Sequence, residues 1–166
     1  MNNWPGILRV DEFQIHTDGK LVYEEKDLYN VIHLGGQKLI LETMFTNYTP
    51  QNIFYVGLDA RSTLSQSQNL SNLAGEPVGN GYQRQALNRS GGFTIVESTP
   101  VKAQSSLIAF SGTGTGWGPV KNIFLCTSPS GTSGILVSSV VFRSTGITVA
   151  GNSVVSMRFS MLLGAC

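Results

Sequence analysis

The sequence predicts an all-β protein: an antiparallel β-sandwich or jelly-roll-like domain with one short helix and an N-terminal arm or hairpin. Three observations carry that expectation. Only 13% of the 166 residues are charged, against about 25% in an average soluble protein, while Ser, Thr, Asn and Gly are abundant. A helical bundle needs charged outer faces, so this composition favours short strands joined by polar turns. About eight short apolar runs follow one another with turn residues at roughly 8–12-residue spacing, the pattern of sandwiches and barrels rather than of parallel α/β sheets. The last run is the clearest: Val155, Met157, Phe159 and Met161 alternate with Ser156, Arg158 and Ser160, which gives one face to the core and the other to water or a partner.

The elements follow in order. Phe13 to Tyr23 reads as a hairpin centred on Thr17-Asp18-Gly19-Lys20, in which Asp-Gly supplies the positive φ of a tight turn. After Gly35-Gly36, the run Gln37 to Phe45 places Leu41 with Met44 and Phe45, and Ile40 with Met44, at helical offsets, so one short helix is expected there. Ile53 to Leu58 is a buried strand. Leu64, Leu70 and Leu73 sit in the polar stretch 62–74 with a turn of helix, and Gly75-Glu-Pro-Val-Gly-Asn-Gly81 must be loop because breakers saturate it. Strands are then expected at Tyr82–Leu87, Phe93–Val96, Leu107–Phe110, Val120–Cys126, Ile135–Phe142 and Ile147–Val149, with a turn at Ala150–Ser153 before the last one. No repeat of fixed period is visible, which disfavours propellers and solenoids.

Composition also bounds function. A net charge of +1 argues against a strongly basic nucleic-acid binder, and no apolar run approaches the roughly 18 residues of a membrane span. Neither a membrane nor a specific nucleic acid is therefore expected as a partner. The first residues lack a basic region followed by an apolar stretch, which predicts a protein that stays in the cytosol where it is made. Cys126 lies in an apolar run and Cys166 is the last residue; their spacing fits no zinc or redox pattern, so both read as free thiols. Asn47, Asn69 and Asn88 begin glycosylation-type triplets, which carry no weight without export.

Charge is unevenly placed. Asp11, Glu12, Asp18, Glu24, Glu25, Asp27 and Glu42 crowd the first part of the chain, nothing after Glu97 is acidic, and the back carries Lys102, Lys121, Arg143 and Arg158. Two readings stay open: an acidic N-terminal segment that meets the basic part of its own or a neighbouring copy, or a solvated hairpin that happens to be acidic. The expected division is an acidic arm or hairpin over residues 1–29 and a β-sandwich domain over 30–166. Asp11, Glu12, Glu24, Glu25 and Trp117 are the candidate partner contacts.

Each candidate chemistry has a plainer alternative. The cluster Ser111-Gly-Thr-Gly-Thr-Gly-Trp-Gly-Pro119 resembles a phosphate loop, but a strand-like run follows it where a helix N-terminus is needed, so it reads as a flexible strand connection. His16 and His33 are the only imidazoles and have no partner at metal-ligand spacing. No Gly-x-Ser-x-Gly elbow is present, and His33, between Ile32 and Leu34, reads as a partly buried, hydrogen-bonded structural histidine. Asp59 with Arg61 and Glu76 with Arg84 are expected ion pairs, the alternative being a carboxylate pair for glycoside hydrolysis. Trp4, Tyr48, Tyr55, Tyr82 and Trp117 are not interleaved with basic residues, which disfavours a single-strand stacking channel. Trp117 is expected in the core or in a subunit contact, its indole N–H needing an acceptor. No catalytic residue, cofactor or metal ligand is assigned. In the 76–84 loop, Gly79 and Gly81 are expected to take backbone angles closed to other residues while Arg84 pairs with Glu76 or a carbonyl.

Three segments carry a family resemblance: Tyr55-Val-Gly-Leu-Asp-Ala-Arg61, Gly75-Glu-Pro-Val-Gly-Asn-Gly-Tyr-Gln-Arg-Gln85 and Trp117-Gly-Pro-Val120. In this order, and with a closing Gly-rich hairpin, they resemble a group of small virion proteins of tailed bacteriophages, over roughly residues 30 to 163. The resemblance implies a non-enzymatic structural subunit, most simply a capsid cement or decoration protein, present in many copies and assembled in the host cytoplasm. It implies a homotrimer on the shell, in contact with the major capsid protein or other virion proteins. A neck, tail or baseplate-associated structural or fibre protein, with host-glycan binding through Trp117 or Tyr82, is the alternative.

Overall fold

The computed structural model of the chain describes residues 6–163. Its strands are β1 (Gly6–Thr17), β2 (Lys20–Tyr29), β3 (Val31–Ile32), β4 (Ile53–Asp59), β5 (Gln85–Asn88), β6 (Phe93–Val96), β7 (Lys102–Ser105), β8 (Ile108–Ser111), β9 (Trp117–Val120), β10 (Asn122–Cys126), β11 (Leu136–Val141), β12 (Ile147–Val149) and β13 (Ser153–Leu163). The single α-helix among the described residues, α1 (Leu34–Phe45), follows β3, and a 3-10 turn covers Leu70–Asn72. The larger sheet runs β2-β1-β13-β7-β6, with β8 also on β13; the second runs β3-β11-β10-β4-β5; β9 and β12 form a separate pair. Every pairing is antiparallel, so the protein is all-β as expected.

The first hairpin closes where the sequence places it. Asp18 and Gly19 both take positive φ, 50° and 76°, between paired Thr17 and Lys20, as a two-residue turn matched to strand twist requires. A bulge then decides which residues of β1 face inward. Val10 lies opposite Phe159 and Glu12 opposite Arg158, leaving Asp11 unpaired in the β1–β13 register. Strict alternation would send Val10, Glu12 and Gln14 to one face; the extra residue turns Val10, Phe13 and Ile15 to the same side instead. Those three are buried and stand opposite Phe159, Met157 and Val155 of the alternating last strand.

The core that these strands begin is completed from the second sheet. Val56 and Leu58 of β4, Ile123 and Leu125 of β10, and Val137 and Val140 of β11 belong to the same apolar cluster as the β1 and β13 residues. The alternate β10 residues, Phe124 and Cys126, face the other way and form a smaller cluster with Leu70 and Leu136, against which Tyr55 and Leu73 pack. Strand β10 is thus buried on both faces, because the 60–74 segment folds back over the outer side of the second sheet.

Several expectations are corrected here. Among the described residues no boundary falls at residue 29: β1 is paired along its length with β13, from Gly6 with Leu163 to Thr17 with Ser153, and Val10, Phe13, Ile15 and Leu28 are core residues. The hairpin is integral to its own chain's main sheet because its apolar residues have no other place to be buried. The helix starts at Leu34, three residues before Gln37, since Gly36 lets it approach β11 closely. The strand expected over Tyr82–Leu87 begins at Gln85, Tyr82 and Arg84 being turned out of the ladder by the contacts described below. Strand β7, Lys-Ala-Gln-Ser, has no apolar alternation and is held by its neighbours β13 and β6. Of the candidate segments at the termini, Trp4 and Cys166 lie outside the described residues.

Phe13 is fully buried and in aromatic contact with Phe142 at 4.5 Å between ring centroids. Phe13→Ala should therefore lower unfolding free energy by about 3–5 kcal/mol, whereas Val22→Ala on the exposed outer strand should change it by less than about 0.5 kcal/mol. Chemical denaturation of both variants checks this; equal effects would contradict the placement of the hairpin in the core.

Candidate functional site

The sequence motifs singled out above meet around the segment 76–84. Arg84 has five N–H bonds, and each finds an acceptor. Nε and Nη2 grip the two oxygens of Glu76, each at 2.7 Å, Nη2 also donates to the Gly131 carbonyl at 2.8 Å, and Nη1 donates to the Ser128 carbonyl at 3.0 Å and the Cys126 sulfur at 3.7 Å. The guanidinium also stands 5.1 Å from the centre of the Phe124 ring. One planar cation thus ties the 76–84 loop to the irregular 128–134 loop, whose carbonyls have few backbone donors of their own. A lysine, with a single point of charge, would not reproduce this fork. Burial pushes the Cys126 thiol up, despite Arg84 beside it, so it remains a packed thiol and not a nucleophilic thiolate.

Tyr82 joins the same loop to strand β4. Its hydroxyl accepts from the Leu58 amide at 2.8 Å and directs its proton between Glu76 Oε1 at 3.1 Å and the Leu58 carbonyl at 3.2 Å. Burial, followed by the negative charge of Glu76, pushes the phenol well above its usual range, so it stays a donor. Its ring stacks on Phe110 at 5.8 Å and meets Trp117 edge-on at 5.4 Å. Gly79 and Gly81 take positive φ of 74° and 82° as expected, but for different reasons. A Cβ on Gly79 would meet nothing, whereas one on Gly81 would stand 2.5 Å from the Ser111 carbonyl. The glycine-rich connection beyond Ser111 is tied down rather than free: Asn80 accepts from the Thr113 amide at 2.9 Å through its carbonyl and donates through Nδ2 to the Gly116 carbonyl at 2.8 Å. Strand β9 follows it, not a helix, so its amides are not aimed at an anion.

A second polar cluster lies on the outer side of the second sheet. His33, fully buried at the N-terminal end of α1, makes one contact from Nδ1 to the Ser65 carbonyl and one from Nε2 to Ser139 Oγ, both 2.9 Å. The carbonyl can only accept, which assigns the proton to Nδ1 and makes Nε2 the acceptor of the Ser139 hydroxyl. Ser139 in turn receives Arg61 Nη2 at 3.2 Å, and Arg61 reaches Asp59 Oδ2 at 2.5 Å and Gln68 Oε1 at 3.2 Å. Burial, with a smaller push from the Arg61 charge, holds the His33 imidazole below its usual range. The Ser–His contact has the distances of an activated nucleophile, yet both residues are sealed: Ser139 is 1% exposed and His33 0%. The cluster fixes the 60–74 segment to β4, β11 and the start of α1.

The two expected ion pairs, Asp59–Arg61 and Glu76–Arg84, are thus both formed. Arg84 engages both oxygens of Glu76, whereas Arg61 reaches Asp59 through Oδ2 and leaves Oδ1 without a partner among the described residues. The candidate partner contacts divide. Burial works against ionisation of Asp11, but hydrogen bonds from Ser160 at 2.5 Å, Gln104 at 2.8 Å and Arg9 at 2.9 Å outweigh it and hold the carboxyl below its usual range. Glu25 is buried, bonded to the Tyr23 hydroxyl and accepting from the amides of Arg143 and Ser144 at 3.0 and 3.3 Å. Both acids are engaged by their own chain. Glu12 and Glu24 do face solvent, beside Lys26. Trp117 is 6% exposed and packed on Tyr82 and Phe110, so it too is a core residue, with no acceptor for its indole N–H among the described residues. Sequence reasoning missed Ser139 and Gln68 as partners; a serine pair inside the apolar run 135–142 was the available signal.

Among the described residues no group of three or more His, Cys, Asp or Glu is placed to hold a metal ion, and no helix is long and apolar enough to cross a membrane. No protein-family model matches the chain, and no curated protein is significantly similar to it.

Two outcomes follow from this geometry. Gly79→Ala should cost about 1 kcal/mol, the steric penalty of left-handed backbone alone, whereas Gly81→Val should lower the melting temperature several-fold further because the Ser111 carbonyl must also move; equal shifts by calorimetry would contradict the contact. For His33, the unfolded chain binds its proton near pH 6.5 while the folded chain resists it. Stability is therefore full above about pH 6.5 and falls as the pH drops below it, by at most about 1.4 kcal/mol per unit for one proton. Denaturation at pH 7.5, 6.5 and 5.5 should reveal this slope in the native chain and its absence in His33→Gln; a ring that titrates at its ordinary value by NMR would refute it.

Proposed function

We propose that the protein is a non-enzymatic virion subunit of a tailed bacteriophage, a capsid cement or decoration protein that strengthens the shell by burying surface against its neighbours. The observation that carries this reading is the convergence of the three segments on which the resemblance rests. Tyr82, from the Gly75–Gln85 segment, bonds to Leu58 of the first segment and packs on Trp117 of the third, while Glu76 and Arg84 of the same loop clasp each other. Segments far apart in the chain thus form one bonded unit, as expected if their likeness reflects a shared architecture and not chance. The sandwich or jelly-roll form belongs to this reading, and residues of the larger and second sheets sharing one apolar cluster support it.

A second consideration supports a role in packing. The arginines and carboxylates best placed for chemistry, Arg61, Arg84, Asp59 and Glu76, hold loops in position, whereas exposed apolar side chains such as Phe45, Val78 and Ile95 remain at the surface. Interfaces between identical copies favour such uncharged surface, since charge costs desolvation. In this reading the protein assembles in the host cytoplasm as a homotrimer and contacts the major capsid protein. The glycan-binding fibre alternative needs Trp117 or Tyr82 to present a flat ring; Tyr82 is stacked on Phe110, and the buried Trp117 meets both of those rings edge-on.

Purified protein should bind particles of its phage that lack it, and quantitative mass spectrometry of intact particles should find it stoichiometric with the shell subunits. Only a handful of copies per particle would move it to the neck or tail, and absence from purified particles would overturn the reading.

A further inference from the structure

Helix α1 is apolar on two faces. Toward the protein it packs on β11 through Gly36 and Leu39, so closely that a Cβ on Gly36 would stand 2.3 Å from the Val137 carbonyl. This contact fixes the helix rigidly on the sheet. On the opposite face Leu34, Leu41, Met44 and Phe45 are 56%, 39%, 62% and 74% exposed. Their spacing of seven, three and one residues puts Leu34, Leu41 and Phe45 along one stripe with Met44 on its flank. A stripe of large apolar side chains held on a rigid platform is the signature of a binding face, unlike single scattered hydrophobic residues.

We propose that this face is a contact between two copies of the chain, with the α1 helices antiparallel across a twofold axis. Charge complementarity selects this occupant. The charged residues along the outer part of the helix are Lys38 and Glu42, on the other flank of the stripe, paired with each other at 3.6 Å across one turn. In an antiparallel pair the same flank of each helix meets its counterpart. A twofold axis passing beside Ile40 then sets Lys38 of each copy opposite Glu42 of the other, because the two positions lie equally far on either side of it. Both cross-contacts are attractive, and apolar stripe meets apolar stripe, as an isologous interface demands. A lipid surface fits less well: interfacial helices carry basic residues on the face opposite the apolar one, and here that face is docked on β11. The helix is about 18 Å long, so it forms the centre of the contact and not its whole area. The contact is twofold and distinct from a threefold ring, and it does not depend on the virion assignment.

Sedimentation velocity on the full chain over a concentration series tests it. The wild-type protein should show a concentration-dependent step that doubles the mass of its smallest species, and Phe45→Glu should abolish that step with an unchanged melting temperature. The deciding experiment is the charge swap. Lys38→Glu alone and Glu42→Lys alone should each weaken the step at least tenfold, since like charges then face each other, while an equimolar mixture of the two variants should restore it through mixed pairs. A wild-type protein whose sedimentation does not change with concentration, or a mixture that associates no better than either variant alone, would overturn the proposal. Failure of the protein to bind phage particles would overturn only the functional reading above.

Discussion

The pairing of the first long strand with the last holds the rest of the molecule in place. Strands β1 and β13 run antiparallel along their full lengths, and the Asp11 bulge sets which of their side chains reach the core. With the bulge, Val10, Phe13 and Ile15 stand opposite Phe159, Met157 and Val155 on the inner face; without it, Glu12 and Gln14 would share the face of Val10. The unpaired residue is an aspartate that would be costly to bury alone. Ser160, Gln104 and Arg9 each bond it, with Lys102 at 3.8 Å, so the bulge is pinned by residues of β13, β7 and β1 together. The pairing thus couples both ends of the chain, and the second sheet packs on the surface they create.

The polar clusters solve a different problem. The second sheet is covered on its outer side by loops, and loop carbonyls and amides in a buried setting must find partners. Arg84 supplies donors to Ser128 and Gly131, Asp59 accepts from Arg61 and the Ala74 amide, and His33 bonds the Ser65 carbonyl. Buried ion pairs of this kind add little net stability, because desolvation offsets their attraction, but breaking one leaves a stranded charge. They select one arrangement of the loops over others. The same logic covers both clusters: Ser139, His33, Arg61 and Asp59 bond one another in one, and Arg84 and Glu76 clasp each other in the other.

Much of this was legible in the sequence where local chemistry decides the outcome. The Asp18-Gly19 turn, the alternation from Val155 to Met161, the positive φ of Gly79 and Gly81, and the Glu76–Arg84 and Asp59–Arg61 pairs follow from residue type and short spacing. Features decided by distant neighbours were not legible. Lys102–Ser105 is a strand only because β13 and β6 flank it. The helix begins before Gln37 because Gly36 meets the Val137 backbone. Asp11 and Glu25 are bonded within the chain because residues more than ninety positions away, Ser160 and Arg143 among them, offer donors. An acidic run read along the chain looks like a solvated arm; only the fold reveals that two of its acids are bonded by residues far along the chain.

Native-state hydrogen exchange on the full chain tests the central claim most directly, since it reports which strands open together. If the β1–β13 pairing is the structural foundation, the amides of β1, β13 and β10 should be the slowest to exchange and should share one opening free energy, equal to that of global unfolding. Exchange of β1 and β2 through a separate, lower-energy opening, with β13 and the second sheet still protected, would contradict it and restore the first 29 residues to the status of an arm.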